Sequence, residues 1–167
     1  YGDGDIVLGG PTIIADFDGT AGANQVFISA YGGNLVAPGG GAISVGAAGD
    51  EHGSIYLHAG GLDTVSNAAL DLEVDLAADS LTLVSEQGSI HLGSGVDIAV
   101  VNDLTITSDL DIIADAGSTI TTDGDASLSA GRSLFALGDI TAGGDIGMQI
   151  GSPVIVGPGP GNPGAFT

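Results

Sequence analysis

Two short stretches put carboxylates at a spacing that suits a hard cation. Asp16-Phe17-Asp18-Gly19 and Asp123-Gly124-Asp125 each hold two Asp two residues apart beside a glycine, which Ca2+ accepts when backbone carbonyls complete its shell. Neither continues to a Glu at EF-hand spacing, and the calcium-binding nonapeptide pattern does not recur. Asp16, Asp18, Asp123 and Asp125 are therefore the candidate Ca2+ ligands, with solvated turns as the plainer reading and no other cofactor expected. His52, His58 and His91 are the only imidazoles. By strand parity His58 and His91 point outward and could line up on one face, short of the three or four ligands a metal site needs. Thr82, Thr105, Thr107, Thr119 and Thr121 also read as outward, and ranks of Thr on a flat face could order ice, although Asp shares that face. Proton-transfer chemistry on acidic polysaccharides needs a basic group or a compact carboxylate pair. Arg132 is the sole Lys or Arg among 167 residues and is expected to pair with a nearby Asp, so the chain is expected not to be an enzyme.

The elements that carry these residues are short. Apolar residues alternate at period two, and Gly or Asp interrupts each run after four to seven residues, which argues strands throughout and almost no helix. From residue 54 the first inward residues of successive strands fall at Ile55, Leu70, Leu81, Ile90, Ile98 and Leu104, continuing through Leu110, Ile120, Leu128, Leu134, Ile140, Ile146 and Val154. A degenerate repeat sits on this spacing: Gly53-Ser54-Ile55, Gly88-Ser89-Ile90, Gly138-Asp139-Ile140 and Gly144-Asp145-Ile146. Nine Asp (Asp5, Asp71, Asp75, Asp97, Asp103, Asp109, Asp111, Asp139, Asp145) directly precede Ile or Leu. That order places the carboxylate outside and the next side chain inside. Short strands at regular spacing with a lone Gly or Asp as punctuation predict an all-β parallel β-helix, a β-solenoid of about seven short coils of 18 to 25 residues, rather than a hairpin-linked sandwich.

Composition agrees. The 31 Gly suit corners that stack without room for Cβ, and the 4 Phe and 3 Tyr suit a narrow interior filled by aliphatic side chains. A formal charge of −20 makes nucleic acid and anionic lipid poor partners. No apolar run approaches the length that crosses a bilayer as a helix, so no membrane insertion is expected. The chain opens at Tyr1 without Met or a basic leader and reads as a processed product or a piece of something longer.

Gly138-Asp139-Ile140-Thr141-Ala142-Gly143-Gly144-Asp145-Ile146, preceded by Ser127-Leu128-Ser129-Ala130-Gly131, resembles the repeats of filamentous-haemagglutinin-type exoproteins of two-partner secretion, over roughly residues 50 to 150. The resemblance implies a secreted bacterial parallel β-helix, extracellular or on the cell surface, serving as a rod for adhesion, aggregation or biofilm, with a host or neighbouring cell surface as a partner.

Charge is also informative where it is missing. Residues 19–49 hold no acid, and nothing after Asp145 is charged; neutral segments are where copies of a strongly acidic chain can meet. The expected organisation is a solenoid domain over 1–151, with 19–49 as uncharged Gly-rich coils, followed by a Gly/Pro-rich extended tail or docking arm over 152–167. Ile6, Val26, Ile28, Val154, Ile155 and Val156 are the candidate polymer-interface residues, because a solenoid without polar caps exposes strand edges at both ends. The function expected is an extracellular structural or adhesive protein that forms or belongs to a cell-surface fibre by end-to-end stacking on copies of itself. The alternative is a Ca2+-dependent or ice- or carbohydrate-binding β-helix module.

Overall fold

The computed structural model describes residues 4–10, 12–15, 24–45, 53–61 and 68–151. The chain runs through β1 (Ile6–Val7), β2 (Thr12–Ala15), β3 (Asn24–Ala30), β4 (Leu35–Ala37), β5 (Ala42–Val45), β6 (Gly53–Ala59), β7 (Leu70–Leu72), β8 (Asp75–Ala78) and β9 (Ser80–Ser85). It continues through β10 (Ile90–Leu92), β11 (Asp97–Val100), β12 (Leu104–Ser108), β13 (Asp111–Ala114), β14 (Thr119–Thr122), β15 (Ala126–Ala130), β16 (Ser133–Ala136), β17 (Asp139–Ala142) and β18 (Ile146–Ile150). Every third strand joins the same sheet, giving three six-stranded sheets in the orders β1-β4-β7-β10-β13-β16, β2-β5-β8-β11-β14-β17 and β3-β6-β9-β12-β15-β18. These are called the first, second and third sheets. All pairings are parallel, and among the described residues there is no helix. The molecule is a parallel β-solenoid.

Register turns the periodicity into a core. Ile6, Leu35, Leu70, Ile90, Ile112 and Leu134 form one inward file, 29 and 35 residues apart in the first two steps and 20 to 22 thereafter. The 18 to 25 residues expected per coil hold from β7 onward; the earlier coils are longer, and the described strands stack six deep. Ile55, Leu70, Leu81, Ile90, Ile98 and Leu104 are each at most 1% exposed, and Ile120, Leu128, Leu134 and Ile140 at most 2%. Leu110 shares their parity but sits half-buried just before β13, and Ile112 takes the core place expected of it. Val154, Ile155 and Val156, with the rest of 152–167, lie outside the described residues, as do Asp16, Asp18 and His52.

Glycine serves the corners by close approach. A Cβ on Gly88 would stand 1.8 Å from the Ala68 carbonyl oxygen, so the coil above can lie at strand spacing only if that position has no side chain. Gly60 combines the same crowding with φ +98°, which no other residue type adopts at low cost.

The nine Asp that precede Ile or Leu mostly face outward, with one exception. Asp111 is buried at 7% exposure. Its carboxylate accepts Nε–H of Arg132 at 2.8 Å and a second bond from Nη2. The only guanidinium in the chain, one coil further on, is what makes that burial tolerable.

Candidate functional site

The outer faces of the three sheets differ in chemistry, and the differences follow from which residues alternate outward. On the second sheet, Asp75, Asp97 and Asp139 mark strand starts, with Ala77, Ala99, Thr119, Thr121 and Thr141 between or beside them. Asp97 accepts the Thr119 hydroxyl, and its backbone N–H donates to Asp75 at 2.9 Å. On the first sheet, His91 lies between two carboxylates from neighbouring coils: Nδ1 is 2.8 Å from Asp71 and Nε2 is 3.1 Å from Asp115. Burial alone would lower the His91 pKa, but the hydrogen bonds and negative charge of Asp71 and Asp115 outweigh it and hold the pKa above the ordinary histidine value.

The third sheet is unlike both. Two files of outward positions run through all six strands, Phe27, Tyr56, Thr82, Thr105, Ser127 and Gly147 in one, and Ser29, His58, Val84, Thr107, Ser129 and Gln149 in the other, beside a shorter file of Gln25, Ser54 and Ser80 at the β3 end. Neither long file contains Asp, Glu, Lys or Arg, in a chain of charge −20. Acids flank these files at the strand ends, Asp79, Asp103, Asp125 and Asp145 before β9, β12, β15 and β18, and Glu86 and Asp109 after β9 and β12. At the β3 end the face becomes aromatic. Phe27 and Tyr56 stack with ring centroids 4.9 Å apart and planes 2° from parallel, and Phe27 and Tyr31 are 51% and 47% exposed. A shallow groove of about 340 Å³ runs beside the stack, lined by Gln25, Phe27, Ser54, Tyr56 and Thr82 over Val26 and Ile55.

The expected alignment of His58 and His91 on one face is overturned. His58 is on β6 of the third sheet and His91 on β10 of the first. His58 keeps outward parity but is only 5% exposed, packed beside Tyr31 and Tyr56. Its Nδ1 shares a 2.8 Å hydrogen bond with the Ser29 hydroxyl, while Nε2 lies 3.7 Å from Glu86. The residue types are those of a nucleophile, base and acid, yet Ser29 is 2% exposed, so its oxygen cannot meet a substrate carbonyl. The trio ties β3 and β6 to the corner after β9. Parity from sequence could not show this, because Tyr31 of the neighbouring coil and Tyr56 of the same strand cover His58 on the outer face.

The threonines also divide. Thr82, Thr105 and Thr107 belong to the third sheet, and Thr119 and Thr121 to the second. The Asp expected to share their face does so only on the second sheet.

Asp123 and Asp125 are both exposed. Asp125 accepts the backbone N–H of Asp145 at 2.8 Å, and among the described residues no three His, Asp or Glu side chains converge as a metal shell. The same capping of a neighbouring coil's N–H recurs with Asp5 on Asn34, Glu73 on Gly39 and Asp109 on Gln87, at 2.8 to 3.0 Å. Carboxylates at corners thus satisfy backbone donors that the ladders leave over. This use of the acids was not foreseen from sequence; the Gly or Asp before each inward Ile or Leu was the available signal.

Of the candidate interface residues described, Ile6, Val26 and Ile28 all lie on β1 and β3, which have a neighbour on one side only. Their side chains point inward, with Val26 buried and Ile6 and Ile28 half-buried. The other partly buried apolar side chains packed on the core are Leu8 and Ile13 near the same end, and Ile146, Met148 and Ile150 on β18 at the opposite end.

The class these features define is the parallel β-solenoid. Comparison of the chain with protein-family models, curated proteins and solved structures returns no match, so the resemblance to filamentous-haemagglutinin repeats rests on the residues named for it alone.

Proposed function

We propose that this chain is a structural and adhesive element of a bacterial extracellular or cell-surface fibre, without a catalytic site, built by stacking solenoids end to end on copies of itself. The observation that carries this reading is the state of the two ends. Among the described residues nothing pairs with the outer edges of β1, β2 and β3 or of β16, β17 and β18, and the core's partly exposed apolar side chains gather near those edges. Open parallel edges over a half-covered apolar layer are a template for further coils of the same kind. A second solenoid placed there would continue all three ladders, seating Ile6 of one copy on Leu134 of the next and Val26 and Ile28 on Ile146 and Met148. The filamentous-haemagglutinin-like repeats supply the supporting analogy for secretion and for a rod-like role, with a host or neighbouring cell as the surface reached.

Electron microscopy of the purified chain, with and without a chelator, tests this. Filaments many times longer than one solenoid are expected, unaffected by the chelator and absent in Ile150→Asp, which puts a charge into the joint. Short monodisperse particles at every concentration would sink self-stacking, and filaments lost only with the chelator would transfer the joint to calcium.

A further inference from the structure

The third sheet carries a surface that end-to-end stacking does not use. We infer that the groove beside the Phe27–Tyr56 stack is a binding site for an uncharged polysaccharide, which lies along the hydroxyl-bearing files of that sheet. Three observations converge. The groove of about 340 Å³ is lined by an amide, two hydroxyls and two aromatic rings, from Gln25, Ser54, Thr82, Phe27 and Tyr56. This is the donor, acceptor and apolar set that a sugar with hydroxyls and C–H faces requires, in a site at the small end of the usual range. Phe27 keeps half its surface in water although apolar, in a file that beyond Tyr56 is Thr, Ser or Gly. Past the groove the files continue with hydroxyls at successive strands, about 4.8 Å apart, so a long chain meets hydrogen-bonding groups after leaving the aromatic end.

Charge selects the class of glycan. Acids stand on the outer face of the second sheet at Asp75, Asp97 and Asp139, on the first at Asp71, and at the ends of the third-sheet strands, so an anionic sugar polymer is repelled. A neutral polymer meets no such repulsion on the third sheet and displaces no ion pair there. A second copy of this chain is the competing occupant. Lateral pairing would bring the acidic corners of both copies together, and a face about 24 Å long and five residues wide is well under the roughly 800 Å² per partner of a standard interface.

The test is affinity electrophoresis of the full chain at low ionic strength, where charge repulsion holds copies apart, through gels containing cellulose derivative, β-1,3-glucan or galactomannan, with polygalacturonate as the anionic comparison. Retardation by at least one neutral polymer is expected, with none by polygalacturonate. Thr82→Asp should weaken retention by about tenfold or more by placing an unpaired charge against the sugar. Gln25→Asp, at an exposed rim position, should do the same, and thermal melts of both variants should match the parent. Failure of all three neutral polymers to retard the chain, equal retardation by polygalacturonate, or unchanged retention in both variants would each overturn the proposal. So would a loss confined to lateral self-association in sedimentation, which would assign the face to a second copy.

Discussion

His91 and Asp111 are two titratable groups held across coils, and their pH signatures have opposite signs. His91 gains Asp71 and Asp115 on folding and its pKa is raised. Its contribution is therefore complete below the ordinary histidine value near 6.5 and disappears as pH rises through the higher folded value. The melting temperature of His91→Gln should fall below the parent's at about pH 5.5 and converge with it at about pH 8.5. Asp111 is held below the ordinary carboxylate value, chiefly by its hydrogen bond from Arg132, against burial that pushes it up. That contribution is present above the ordinary carboxylate pKa and is lost as pH falls through the depressed one. Arg132→Ala leaves the buried carboxylate without its cation, so acid unfolding followed by circular dichroism should begin at a higher pH in the variant. Either signature with the reverse sign would mean that the pair is not formed in solution.

A strand in this molecule is stabilised by the strands above and below it, so its position along the axis sets the cost of damaging it. Ile90 lies between Leu70 and Ile112 with none of its surface exposed. Ile90→Ala should cost roughly 2–5 kcal/mol in denaturant unfolding, and Ile90→Asp should prevent folding. Ile146, of the same type but on end strand β18 and only partly buried, should cost about 1 kcal/mol on truncation to Ala in the isolated solenoid. Comparable losses at both would contradict the register. Corners carry a different constraint. Gly88→Ala sets a methyl against the Ala68 carbonyl of the adjacent coil and should destabilise by about 2 kcal/mol or more, since backbone on both sides must move.

The described solenoid has an aliphatic core and a largely acidic exterior, with two uncharged files along the third sheet. At −20, copies repel beyond contact distance unless salt shortens the range to about 8 Å at physiological ionic strength. Filament formation followed by light scattering should therefore rise steeply between low and physiological salt. If addition falls on the ends, monovalent salt suffices, and Ca2+ at equal ionic strength adds little. A strict requirement for Ca2+ would instead point to carboxylate bridging between rods.

Much of this is legible in the sequence, because a strand's side-chain period is two and a solenoid repeats its register. Ile55, Leu81, Ile98 and Leu128 could be placed in the core from alternation alone, and Gly88 at a corner from its place ahead of Ser89-Ile90. What alternation cannot supply is the number of residues between strands of one sheet. That number depends on how each corner closes, and it varies from 20 to 35 along the first sheet. Without it, outward residues cannot be sorted among three faces. For this reason parity alone sets His58 and His91 on one face, and Thr105 and Thr121 together on another with Asp. The parity that put Asp111 outside was blind to Arg132, because their contact joins residues 21 apart that meet only once the coils stack. Hydrophobic alternation is local and survives in the sequence; charge pairing, the neutral third face and the open ends arise between coils, from the pitch at which the chain returns to itself.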